Sequence, residues 1–171
     1  RRLSDAGADL IRVGIGGGSA CTTRIQTGHG VPTLQSLMDI SFMRKAGDAA
    51  IIADGGIRNA GDAAKAFAAG ARFVMVGGML AGTSNAPDIR DENNNRIFRG
   101  MASSAFTHKV EGVSHIIDYK GETKDALANM RNGLASACSY SGVSSLADLA
   151  EDAEYRIVTP QGVTENHAHH R

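Results

Sequence analysis

The chain has no surplus of charge, almost no cysteine and no long apolar run. Its 171 residues carry 18 Lys and Arg against 18 Asp and Glu. No net field therefore favours nucleic acid or an anionic membrane surface, and the expected partner is a small molecule. No apolar stretch approaches the roughly 18 residues of a membrane span, and no charged-then-apolar leader opens the sequence. A soluble, cytoplasmic protein is the expectation. Cys21 and Cys138 are the only cysteines, too far apart for metal-ligand spacing, and an intracellular compartment would keep them reduced. Cys138 falls in an apolar helical run around residues 135–137 and reads as a small buried hydrophobe. Cys21 does not, because it follows a glycine-rich loop, where little surrounds a side chain.

Glycine is what the sequence has in quantity, 21 residues of it, and Gly14, Gly16, Gly17 and Gly18 fall together in VGIGGGSACTT, residues 13–23. The apolar run 9–13 reads as a buried strand feeding this loop. Successive N–H groups without Cβ atoms suit phosphate, and a cysteine just beyond them suits covalent attack on whatever the phosphate anchors. Two further apolar strands, 49–53 and 73–76, end in Asp54-Gly55-Gly56 and Gly77-Gly78. A helix begins after Thr33 as N-cap and stops near Gly47; another covers 59–69 with Ala63, Ala64, Phe67 and Ala68 on its inner face. Strand, loop and helix in recurring order indicate parallel βα units, whose continuous apolar strands are covered on both sides and carry chemistry at their C-terminal ends. Three such units are visible, against eight in the about 250 residues of a closed (β/α)8 barrel. Beyond them, 85–96 reads as an exposed loop, and 97–101 returns to the strand-end surface. Residues 107–120 alternate as a hairpin or extended arm, 123–137 form a last helix, and Ser144 opens a short helix reaching Leu149. The stretch 153–171 is expected to be extended and then, from 160, a flexible tail. Its terminal His167, His169 and His170 are read as solvated rather than metal-ligating.

GIGGGSACTTR resembles the catalytic loop of the IMP dehydrogenase and GMP reductase family, whose usual form has Pro where this chain has Gly17. IIADGGIRNAGDAAKAFAAGARFVMVGGMLAGT, FRGMASSA, EGVSHIIDYKG and GLASACSY follow in the family order. The resemblance implies an α/β fold, the C-terminal part (about strands 6 to 8) of a (β/α)8 TIM barrel with a loop or flap insertion and a C-terminal tail. Residues 1–171 would then form a single partial barrel domain. It also implies chemistry at C2 of a purine nucleotide through a thioimidate on Cys21, with a nicotinamide cofactor exchanging hydride. By the same resemblance, Thr23 handles the small nucleophile or leaving group and Glu111 sits beside the purine. Ser19, Gly56, Gly77 and Gly78 would surround the phosphate, Gly55 would belong to the same substrate site, and Asp54 would hold the ribose hydroxyls. Met101 and Ser103 would meet the base edge, although Ala102 stands where the family has Gly or Ser. Backbone carbonyls of Gly16, Gly18 and Cys21 would hold a monovalent cation, K+. From the residues alone, Thr23 is equally a turn hydroxyl and Asp54 an Asx turn.

The two branches of the family differ in a mobile flap, where the dehydrogenase carries an Arg-Tyr pair that activates water. Only nine residues, 102–110, separate Met101 from Glu111, and they contain no such pair. Gly77-Gly78-Met79 and SACSY resemble the reductase, while GVTENHAHH resembles the dehydrogenase tail. The reading is a GMP reductase converting GMP to IMP and ammonia with NADPH. The alternatives are an IMP dehydrogenase using NAD, a nucleotide-binding fragment, or one half of a split enzyme. The resemblance implies a homo-oligomer, the family tetramer, or an N-terminal half as partner.

Overall fold

The computed structural model describes residues 1–102 and 111–166. Ser103 and the terminal histidines His167, His169 and His170 lie outside them. The chain begins with a short helix, α1 (Arg2–Asp5), and enters β1 (Leu10–Val13). A short helix α2 (Thr23–Thr27) follows the glycine-rich loop, then α3 (Thr33–Met43), β2 (Ala50–Asp54), α4 (Ala60–Ala68) and β3 (Phe73–Met75). The strands form one parallel sheet in the order β1-β2-β3, with Leu10 opposite Ala50, Val13 opposite Ala53, and Asp54 opposite Met75.

Strand residues alternate faces, and here the two faces meet different surroundings. Val13, Ile51 and Ala53 turn to the helices and make one core with Leu37, Ile57, Ala63, Ala66 and Ala69. Leu10, Phe73 and Met75, on the opposite side, remain 49%, 49% and 41% exposed. The expectation that the strands are covered on both sides is therefore corrected, because α3 and α4 pack against a single face.

Helix α4 starts where Asn59 accepts the Asp62 N–H at 2.9 Å, which satisfies one of the orphan donors of the first turn. Its buried stripe is Ala63, Ala66 and Ala69, whereas Ala64, Phe67 and Ala68 are only half-buried. Small side chains let α4 lie close to its neighbours: α5 (Thr123–Tyr140) packs along it, and a Cβ on Gly133 would strike Ala60. Thr33 is the first helical residue of α3 rather than its cap, and its hydroxyl turns to the Asp54 carbonyl at 3.5 Å. That helix ends at Met43, before Gly47, because Arg44 is extended. Cys138, expected to be buried, is only partly so, on the α5 side of a surface groove with Leu134 and Leu146.

The described part of 107–120 contributes β5 (Ser114–Ile116), which pairs antiparallel with β4 (Ile97–Arg99) and sets Phe98 opposite His115. Helix α6 (Leu149–Asp152) begins later than Ser144 and buries Leu149 beside α4. Within the stretch expected as a tail, Pro160–Glu165 forms a short helix, α7. Thr159 accepts the Gly162 N–H at 3.2 Å and proline occupies its first turn, two start signals passed over in the sequence. No helix among the described residues is long and apolar enough to cross a membrane.

Candidate functional site

The C-terminal ends of the three strands converge on a cavity of about 1030 Å³, at the upper end of the roughly 300–1,000 Å³ usual for small-molecule sites. Backbone closeness explains the glycines that surround it. Gly14 has φ +136°, and a Cβ there would collide with the Asp54 carbonyl. At Gly17 a Cβ would lie 2.8 Å from the Thr33 hydroxyl and 3.2 Å from the Gly55 Cα, so the two loops pack directly on one another here. Arg24 braces the loop from outside, donating through Nε to the Ile15 carbonyl (3.2 Å) and through Nη2 to the Val31 carbonyl (2.8 Å).

Cys21 is tied to Glu111 through Thr23. Its Sγ donates to Thr23 Oγ1 at 3.2 Å, and Thr23 Oγ1 donates to Glu111 Oε2 at 2.8 Å. The donor directions run head to tail, so a thiol proton has a route to a carboxylate. A backbone seam brings the distant acid into place: Thr22 N–H bonds the Glu111 carbonyl (2.7 Å), and Val113 N–H bonds the Ala20 carbonyl (2.9 Å). Cys21 and Gly112 form an antiparallel bridge between them. Gly100 lies against this seam, where a Cβ would come within 2.7 Å of the Ala20 carbonyl.

Among the described residues expected from the sequence, Gly16, Gly18, Ser19, Cys21, Asp54, Gly55, Gly56, Gly77, Gly78, Met101 and Glu111 all line the cavity. Thr23 stands behind Cys21 rather than in the cavity wall, and Met101 is exposed at its rim. No cluster of His, Cys, Asp and Glu among the described residues has metal-binding geometry.

Sequence reasoning missed several polar groups there. Arg12 Nε lies 3.2 Å from Asp54 Oδ2, an ion pair on the open face of the sheet; its signal was a lone charge inside an otherwise apolar strand. Arg58 also faces the cavity, gripped by both carboxylate oxygens of Asp62 at 2.9 and 3.1 Å. Burial pushes the Asp62 carboxyl up, but hydrogen bonds from the Arg58 guanidinium and backbone outweigh it and hold the group below the usual carboxylate range. His115 and Lys120 reach the loop carbonyls of Ser19 and Gly78.

The sequence profile of the IMP dehydrogenase / GMP reductase domain matches residues 1–169. The chain belongs to this family. It is 38% identical over 194 residues to the inosine-5'-monophosphate dehydrogenase of Methanocaldococcus jannaschii, covering 98% of this chain and 39% of that protein. With the inosine-5'-monophosphate dehydrogenase of Aquifex aeolicus the identity is 38% over 188 residues, covering 99% and 38%. A GMP reductase variant from Trypanosoma brucei, solved in complex with guanosine 5'-monophosphate, superposes with a TM-score of 0.89 at 36% identity, covering 99% of this chain and 38% of that one. The chain thus spans about two-fifths of the length of these family members. Its α/β fold is similar to that of the GMP reductase and consistent with part of a TIM barrel.

Proposed function

We propose that this chain carries the nucleophile side of a purine-nucleotide oxidoreductase, and that the reaction is reduction of GMP to IMP and ammonia. The observation that carries this reading is the Cys21–Thr23–Glu111 hydrogen-bond chain at the cavity wall. In the proposed reaction Sγ of Cys21 attacks C2 of the purine while the thiol proton passes through Thr23 to Glu111. The same proton then protonates the departing C2 amino group, so C2 gains sulfur and ammonia leaves. Hydride addition at C2 next expels the Cys21 thiolate, which takes a proton from solvent and completes IMP. NADPH, or alternatively NADH, supplies that hydride when bound. Apolar surface for a nicotinamide ring is offered by Ile57, Met75 and Met79 along the cavity.

Phosphate recognition is assigned to Ser19, Gly55, Gly56, Gly77 and Gly78, whose N–H groups would replace its water. Asp54 is assigned to the ribose hydroxyls, sharing its carboxylate with Arg12. Met101 and Ser103 are assigned to the base. A K+ ion on the carbonyls of Gly16, Gly18 and Cys21 belongs to the same proposal; the Gly18 carbonyl already accepts the Cys21 N–H at 3.1 Å and has a second lone pair for an ion.

A second reading, oxidation of IMP with NAD, is favoured by the names of the sequence relatives, inosine-5'-monophosphate dehydrogenases at 38% identity. Against it stands residues 102–110, which hold no Arg-Tyr pair to activate water. Turnover is to be measured with GMP plus NADPH and with IMP plus NAD, on this chain alone and with an N-terminal half of a barrel supplied. Consumption of NADPH with GMP and ammonia release is the expected result. Turnover confined to IMP and NAD assigns the dehydrogenase instead, and absence of both in every mixture overturns the enzyme reading.

A further inference from the structure

Two basic side chains that the proposed chemistry leaves unused cross from β5 and the segment after it to the glycine loops. His115 Nε2 lies 2.9 Å from the Ser19 carbonyl, and because a carbonyl only accepts, Nε2 carries the hydrogen. Lys120 Nζ donates to the Gly78 carbonyl at 2.8 Å. These contacts join segments 96 and 42 residues apart. The loops meet at this end of the cavity, since a Cβ on Gly78 would lie 3.0 Å from Ser19 Oγ.

A planar trans peptide points its C=O and the next N–H in opposite directions. Holding the Ser19 and Gly78 carbonyls on His115 and Lys120 therefore fixes the N–H groups of Ala20 and Met79 pointing away from those two side chains. Both of these residues line the cavity, and neither N–H has an acceptor among the described residues. The acids lining the cavity are Asp54, paired with Arg12, and Glu111, bonded to Thr23. We infer that His115 and Lys120 are positioning residues, a clasp that presets the Ala20 and Met79 amides as donors to the phosphoryl group of the nucleotide. The inference rests on the nucleotide reading above.

Hydrogen exchange on the unliganded full chain tests the clasp without any nucleotide. Residues 16–20 and 77–79 are expected to exchange about tenfold faster in His115→Ala and Lys120→Met, and to return to the original rate in His115→Gln and Lys120→Arg, which keep a donor. Titration with GMP and with guanosine then tests the phosphate. Affinity for GMP is expected to fall roughly tenfold or more in His115→Ala and Lys120→Met, while affinity for guanosine stays within about twofold. Unchanged exchange in both variants overturns the clasp, and equal losses for GMP and guanosine overturn its link to phosphate. Normal clasp behaviour in a chain that binds neither ligand removes the nucleotide reading and the phosphate assignment, and leaves the loop positioning standing.

Discussion

Cys21 is the residue on which the proposed chemistry turns, and its environment makes a clean separation of binding from turnover. The residues proposed for phosphate and ribose are distinct from Cys21 around the cavity, so Cys21→Ala should abolish turnover while nucleotide affinity stays within about tenfold. Wild-type rates in that variant, measured by cofactor consumption, would exclude the thioimidate route. Asp54 has a different expected signature. Replacing it by Ala removes the partner of Arg12 and the acceptor proposed for the ribose hydroxyls, and should weaken nucleotide binding by about 2 to 3 kcal/mol. Titration of the unmodified protein with GMP and 2′-deoxy-GMP checks the role, and equal affinities would contradict it. The glycines at these turns were legible in the sequence because a positive φ and a lost Cβ leave a compositional mark. The Arg12–Asp54 pair was not, since nothing local says that residues 42 apart will stand side by side on adjacent strands.

At the scale of elements, strands and helices follow from short-range pattern, and the departures come from packing. Apolar runs and closing glycines announce β1, β2 and α4, but which face of α4 is buried depends on how near the sheet and α5 approach, so Ala66 and Ala69 replace Ala64 and Ala68 in the core. Tyr155, between α6 and α7, shows the same dependence. Its hydroxyl donates to the Lys65 carbonyl of α4 at 2.6 Å, and burial raises its phenol to about 12. Because the ordinary value is near 10, the unfolded chain releases this proton first. The contribution to stability is complete below pH 10 and fades as pH rises toward 12. Chemical denaturation across that range should show a steeper loss in the original protein than in Tyr155→Phe. At neutral pH the same variant should be less stable by about 1 kcal/mol, because the Lys65 carbonyl loses its donor. Identical slopes from pH 10 to 12 would disconnect Tyr155 from the alkaline loss.

For the whole molecule the open face of the sheet dominates. Leu10, Phe73 and Met75 present apolar surface beside the Arg12–Asp54 pair. Leaving several hundred Å² of such surface wet forfeits on the order of 10 kcal/mol at about 25 cal/mol per Å², comparable with a domain's entire stability. The chain by itself is therefore expected to self-associate at micromolar concentration, and Leu10→Gln with Phe73→Gln should reduce that association in sedimentation runs. A sharp thermal transition from a monomeric original protein would refute the expectation. The seam between Cys21 and Gly112 carries a further consequence, for the order of events during synthesis. Thr23 and Glu111 are 88 residues apart in the chain, which at about 5–20 residues per second is roughly 4–18 s of translation. Throughout that interval the thiol has emerged without its acid partner, and the proton route is assembled only when the segment carrying Glu111 docks.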